Sequence, residues 1–551
     1  MQIADIIVIA FYFVLTFGVG ILALRRKHES TEDYFLSGRK LPWHLAGLSM
    51  VATTFAADTP LAVTGITLDR GIAGNFLWLS LIPSGILTAI FYARLWRRSG
   101  AMTDAEFATL RYSGQAAAFL RRFRAVYLAL PVNLIIMGWV TTGMAKVLGV
   151  FFDYPQWLTL GVLYAFTVVY IILSGLWGVV VTDALQFIIA IVGCIILAVI
   201  SVDHAGGLTA LWQKADAMLP TGFTNIYPWY FTGPVYIVAV WLGVQWWASW
   251  YPGFEPGGGG YVAQRLLSTK NENHAVGAAL LFNVLHFVVR PWPWIITALA
   301  AAVALPTTGD KEMLYPQAIL AWLPTGLRGL LIAAFLAAFM STIATHLNWG
   351  ASYIMNDVVR GTRFEPKNTR GMLALSRGMI VLMALGAIGV SYLMTSVSKG
   401  WELILMLSAG TGPVFMIRWY WKRVNAVSEI SAMCASLVFS LIAANWNLAQ
   451  ELRLCLVAAA TTLVWVTVTL VTKPASEEKL AAFYAQVRPG HWRWRELLVF
   501  VCGVILVYAA FFAIGELLRA RYIPALINLL VAAAAGVVAA IGLNKRIEPV
   551  S

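Results

Sequence analysis

The chain has 551 residues, 60% of them hydrophobic and only 12% charged, with a mean hydropathy of +0.76. A soluble domain carries roughly 25% charged residues, so a water-soluble enzyme is excluded. The net charge of +13 would fit a nucleic-acid partner, but its distribution along the chain excludes one, as shown below.

Apolar runs of about 20 residues recur throughout, each long enough to cross a hydrocarbon core of about 30 Å. They are continuous rather than alternating, which excludes a β-barrel. The expectation is an all-α polytopic membrane protein with about fifteen spans. They fall near 3–24, 42–68, 72–93, 125–151, 156–173, 178–201, 229–250, 274–304, 326–356, 373–396, 401–420, 427–448, 452–472, 496–517 and 522–543. The first run has no basic segment before it and no small-residue cleavage site, so it reads as a retained span and not a secretory signal. Between spans, "TDAEFATLRY" reads as a short amphipathic surface helix, and "PGGGG" at 256–260 as a flexible loop. The four cysteines, Cys194, Cys434, Cys455 and Cys502, all lie in apolar runs and read as small core residues.

With the N-terminus outside, 29 of the 39 Lys and Arg residues fall in cytoplasmic segments and 9 outside, with Arg290 left within a span. Basic loops stay in the cytoplasm, so the expected orientation is N-out and C-in, in the cytoplasmic membrane. The excess positive charge is topological.

Two places inside the greasy runs carry chemistry. The stretch "GLSMVATTFAADTPLAVTG", 47–65, holds Asp58 and Pro60 where a lipid-facing helix wants neither. Pro60 suits the start of a helix, with Asp58 or Thr59 capping its exposed N–H groups. Apolar residues also precede it, so the run reads as two half-helices with a break near 55–59. Broken backbone survives in a membrane only where something binds the freed groups, and in secondary transporters that something is substrate and ion. The second place is "LIAAFLAAFMSTIATHLNWG", in which Ala338, Ser341 and Thr342 share one helix face. Two hydroxyls and a carbonyl suit a hard monovalent cation and not a transition metal. Such a pair can instead bond back onto its own helix.

Five stretches occur in order between residues 33 and 358: "DYFLSGRKLPWHLAGLSMVATTFAADTPLAVTG", "TDAEFATLRY", "GLWGVVVTDALQF", "YVAQRLLSTKN" and "AAFMSTIATHLNWGASYIMNDV". In these the chain resembles the sodium:solute symporter family, which has the LeuT-type inverted-repeat fold. The resemblance implies an extra N-terminal span and loop at 1–41, two five-helix repeats of opposite orientation at 42–204 and 205–425, and extra spans at 426–551. It implies a sodium ion held by the carbonyls of Ala52, Phe55 and Ala338 and the hydroxyls of Ser341 and Thr342. Asp183 matches an acid near the sodium exit route in that family, and a paired structural acid is the competing reading.

The same resemblance places Asp58 and Thr59 at the substrate cavity, where sugar-carrying relatives have a Glu-Gln pair. It places His286 where they have a substrate-contacting lysine, and Gln245, Trp246 and Trp247 at substrate contacts and an aromatic gate. Arg290, one turn from His286, either faces the cavity and holds an anionic group or pairs with Asp58. The stretch "YPGFEPGGGG" looks like an insertion, and Ala56 stands where proline carriers have serine. Neither sugar nor proline is therefore supported.

The expected function is sodium-coupled symport of a small organic solute, with Na+ as coupling ion, no organic cofactor and no enzymatic activity. The lipid bilayer and the solute are the expected partners, with no nucleic acid and no obligatory protein partner. A proton-coupled carrier relaying through Asp58, Asp183 or His286 and a transporter-like sensor remain as alternatives. No HExxH, phosphate loop or selectivity-filter repeat points to a membrane enzyme or channel.

Overall fold

A computed structural model of the protein describes residues 2–24, 35–249, 256–306, 309–490 and 494–544. The spans are α1 (Ile3–Leu24), the pair α2 (Trp43–Thr54) and α3 (Thr59–Arg70), α4 (Ile72–Ser99), α5 (Gly114–Phe151) and α6 (Gln156–His204). There follow α7 (Val235–Ala248), α8 (Glu272–Ala304), α9 (Leu327–Val359), α10 (Thr369–Ser391), and the pair α11 (Val397–Leu407) and α12 (Gly412–Ile417). The last four are α13 (Ala426–Ala443), α14 (Gln450–Val471), α15 (Trp494–Leu518) and α16 (Tyr522–Asn544). Among the described residues ten helices are by themselves long and apolar enough to cross a membrane, not fifteen. The remaining expected spans are shorter apolar pieces or broken pairs.

The 49-residue α6 is longer than any bilayer needs: a straight helix of that length would run about 73 Å. The hydroxyls of Tyr170 and Thr182 hydrogen-bond to each other. A straight helix would hold residues twelve apart about 18 Å from one another along its axis. α6 is therefore sharply bent between them, into arms Gln156–Ile172 and Val179–His204 that correspond to the spans expected at 156–173 and 178–201.

The break near 55–59 is present. Phe55 to Asp58 lie outside helical structure between α2 and α3. Pro60 accounts for it, since a proline lacks the N–H to continue a helix and its ring crowds the preceding turn. A second interruption, at 408–411 between α11 and α12, falls inside the span expected as continuous at 401–420.

α2 sits at the centre of the bundle, packed against α6, α8 and α9. The small residues of α9, "AAFLAAFMSTIAT", let α6 approach it closely. α3 packs on the second half of α8. Gly143 of α5 meets the break itself: a Cβ there would lie 2.6 Å from the Asp58 Cα. α1 covers α6 and α9 from outside, and α15 pairs with α16.

Two expectations about the cytoplasmic side need correction. "TDAEFATLRY" is not a surface helix. Only Phe107–Arg111 is helical, and the segment is tucked inside. Arg124 pairs there with Asp104 at 2.9 Å and with Glu429 at 3.3 Å, and Arg418 reaches Glu429 at 3.1 Å. The "PGGGG" stretch at 256–260, expected as a flexible loop, leads directly into a fully buried helix, Gly260–Leu267. Residues 251–255 of the apparent insertion lie outside the described residues.

Candidate functional site

The hydroxyl face of α9 meets the cut end of α2. Thr342 Oγ1 donates to the Thr53 carbonyl at 2.8 Å, and Thr345 Oγ1 lies 3.2 Å from Thr53 Oγ1. Ser341 Oγ donates to Asp183 Oδ1 at 2.7 Å, and Ser49 Oγ donates to the other carboxylate oxygen at 2.5 Å. So Asp183 touches a serine from each side of the junction. The Arg265 guanidinium closes the cluster, 3.8 Å from Asp183, donating to Ser49 Oγ at 3.1 Å and to Thr345 Oγ1 at 2.9 Å.

Every one of these polar side chains is buried. Buried polar groups without partners are costly, and here each side chain has one. The break supplies the exception. The Phe55 N–H donates to the Val51 and Ala52 carbonyls at 2.9 and 3.1 Å, closing the end of α2, while among the described residues no donor reaches the Phe55 carbonyl. A carbonyl oxygen without a donor at the cut end of a buried helix is the kind of ligand a monovalent cation takes. Ala338 precedes Thr342 by one turn on the same face of α9.

Next to this junction lies a cavity of about 60 Å3. That is room for a few waters, well below the ~300–1,000 Å3 of a filled ligand pocket, so the walls are drawn in. The break contributes Thr53, Thr54, Ala56, Asp58 and Thr59, and α9 contributes Thr342 and His346. Trp78 of α4, Trp139 of α5, Trp401 of α11 and Tyr261 form aromatic walls, and His286 of α8 completes the lining.

Among the described residues Asp58 is the only acid on this lining. It does not cap α3, as expected from the sequence. It stands at the N-cap position with helical φ and ψ (−76° and −30°), which turns its side chain away from the helix N–H groups. Its carboxyl is buried beside the Trp401 indole, with Oδ1 itself making no hydrogen bond among the described residues. Thr59 does not cap either; its hydroxyl reaches back across the break to the Thr54 carbonyl at 3.3 Å.

The two histidines present opposite chemistry. His286 Nδ1 lies 2.7 Å from Arg290 Nη1. A guanidinium can only donate, so Nδ1 accepts and the imidazole proton is assigned to Nε2. His346 Nδ1 lies 2.6 Å from Asn133 Oδ1, whose amide nitrogen donates to the His346 carbonyl. Nδ1 is therefore the donor, which leaves His346 Nε2 as an acceptor.

Arg290 takes neither of the two roles considered for it. It is fully buried, absent from the cavity wall, and directs its hydrogen bonds to the Val51 and Thr54 carbonyls instead of Asp58. The cause is local. Pro291 and Pro293 cannot donate into α8, and residues 285–289 widen into a five-residue turn, with the Arg290 N–H bonding the Leu285 carbonyl at 3.3 Å. Gln245, Trp246 and Trp247 also miss the cavity. Gln245 Nε2 donates to the Leu77 carbonyl at 2.5 Å and to Ser80 Oγ at 3.0 Å, and the two indoles bond back onto α7. Trp241–Gln245 is likewise a widened turn, and one extra residue rotates everything after it by about 100° relative to a regular helix.

Sequence reasoning missed Ser49, Arg265, Tyr261, His346 and the three cavity tryptophans. His346 had a signal, lying four residues after Thr342 on the same face. Trp78, Trp139 and Trp401 had none among 23 tryptophans.

With this geometry in hand, comparison with known proteins is direct. The profile of the sodium:solute symporter family matches residues 34–438. A sodium/glucose cotransporter of Vibrio parahaemolyticus is 27% identical over 470 residues, covering 79% of this chain and 84% of the relative. A sodium/mannose cotransporter of Bos taurus is 26% identical, covering 79% and 78%. The solved structure of a Na+-coupled sialic acid symporter in a substrate-bound outward-open state superposes with a TM-score of 0.71 at 17% identity. It covers 86% of this chain and 99% of that one, so the two share a fold.

Proposed function

The chain belongs to the sodium:solute symporter family, whose members couple solute movement to sodium across a membrane, and we propose that its solute is a small organic molecule bearing hydrogen-bond donors, bound between Asp58 and the tryptophan walls. The observation that carries this reading is the buried Asp58 carboxyl on the lining of the cavity, with the Trp401 indole beside it and Oδ1 turned to the cavity. A carboxylate oxygen there selects hydroxyl or ammonium groups and repels anions. Flat apolar faces of a solute lie on Trp78, Trp139 and Trp401. Thr59 and the His286 Nε2–H supply further polar contacts. The named relatives carry sugars, whose hydroxyls would satisfy Asp58, but the Asp-Thr pair here differs from the sugar carriers' Glu-Gln pair.

In this reading sodium binds Ala52, Phe55, Ala338, Ser341 and Thr342, and Asp183 receives it on its way out. Sodium holds the two ends of the break against α9, which shapes the cavity, so the two ligands favour each other's binding. Residues 42–204 and 205–425 form the two inverted repeats. The first begins with the broken pair α2 and α3, and the second with α7 followed by the short helix Gly260–Leu267. Rocking of one bundle against the other then gives alternating access.

The test is a thermal-shift screen of neutral, cationic and anionic solutes on the purified protein, in sodium chloride and in choline chloride. Neutral or cationic solutes should stabilise it, and more so in sodium. Stabilisation by anionic solutes alone would reject the Asp58 reading. The N-out orientation is tested by single cysteines in a background lacking the four native ones. Asp153→Cys should react with an impermeant thiol reagent in intact cells and Ser476→Cys should not, and the reverse pattern would invert the topology.

A further inference from the structure

Four acceptor atoms converge on one guanidinium at the cut end of α2. Arg290 Nη2 donates to the Thr54 carbonyl at 2.6 Å. Its Nη1 lies 2.8 Å from Thr54 Oγ1, 3.2 Å from the Val51 carbonyl and 2.7 Å from His286 Nδ1. The rings of Phe55 and Trp294 lie 5.2 and 5.0 Å from the guanidinium carbon. All four acceptors are neutral atoms: two carbonyls, a hydroxyl and an imidazole nitrogen.

This is the surrounding a small monovalent cation takes. Carbonyl and hydroxyl oxygens replace water around it, and the carbonyl end of a helix carries negative potential. The guanidinium is fully buried, so these acceptors and rings, with the Asp58 carboxyl nearby, and not solvent, stabilise its charge. Its position differs from the sodium junction. There, α9 engages the Thr53 carbonyl, one residue and about 100° around the helix from Thr54.

We propose that Arg290 is a tethered cation filling a second monovalent-cation position at the break, so that the protein binds one sodium ion per chain where an unoccupied cage would bind two. This rests on the symport reading above. Arg290 is then a positioning residue: it fixes the end of α2, which carries Ala52 and Phe55, at every stage of the cycle, and leaves only the junction with α9 to respond to sodium. Removing the side chain uncovers an oxygen cage open to a free cation.

The experiment uses purified full-length protein, radioactive sodium at equilibrium, and melting in low-millimolar guanidinium chloride. Wild type should bind one sodium per chain and gain no stability from guanidinium. Arg290→Ala should bind a second sodium, and guanidinium should raise its melting temperature by filling the cage. Arg290→Lys, which keeps a cation in place, should bind one sodium and keeps the test available if the alanine variant does not fold. Two sodium ions on wild type or on Arg290→Lys would overturn the proposal, as would an Arg290→Ala protein that binds one sodium and ignores guanidinium. No sodium on wild type would instead reject the symport reading itself.

Discussion

Ser341→Ala and Thr342→Ala should each raise the sodium concentration giving half-maximal uptake by about 5- to 150-fold. That range corresponds to about 1–3 kcal/mol, the loss expected when a buried charged partner forfeits one polar ligand. The structure makes the two variants unequal in mechanism. The Thr342 hydroxyl ties α9 to the Thr53 carbonyl, so its loss loosens the junction between α9 and the end of α2. The Ser341 hydroxyl bonds Asp183, so its loss also removes one of two serine donors from a buried carboxylate. Because both act at one junction, the double variant should fall short of the sum of the two losses. Unchanged sodium dependence in a normally expressed double variant would remove these residues from the ion site.

Asp58→Asn should weaken solute binding by about 10- to 150-fold, from about 1.5–3 kcal/mol for a hydrogen bond to a charged group. Sodium binding measured without solute should be unaffected, because Asp58 lies on the cavity wall and takes no part in the bonds joining α2 to α9. The substitution also removes the charge that excludes anions, so an anionic analogue of the solute should gain affinity as the native one loses it. Retained solute affinity together with lost stability would make Asp58 a structural acid.

Much of the fold was legible because its signals are local. Apolar length marks a span, and Pro60 marks the break. The hydroxyls of Ser341 and Thr342 are adjacent in sequence; Thr342 meets Thr53 beside that break and Ser341 meets Asp183 of α6. What escaped depends on pitch and on distant partners. Arg290, one turn from His286, and Gln245, placed by resemblance, were expected near the cavity, but each sits in or beside a widened turn that hydrophobic periodicity does not reveal. Asp58 looked like a cap because acids commonly are, yet its backbone is helical and its carboxyl turns to the cavity. Arg265 falls between the spans expected at 229–250 and 274–304, where a short buried helix after "PGGGG" has the composition of a loop. Its partners, Ser49 and Thr345, lie 216 and 80 residues away.

The central claim is that sodium binding at the junction of α2 and α9 drives a solute through the cavity beside Asp58. It is tested most directly in proteoliposomes, with a solute selected by thermal shift and an inward gradient of either sodium or choline. Concentrative uptake should occur under the sodium gradient and vanish when choline replaces it at constant pH. Equal uptake under both gradients, driven instead by an imposed proton gradient, would contradict the account and favour a proton-coupled carrier of the same fold.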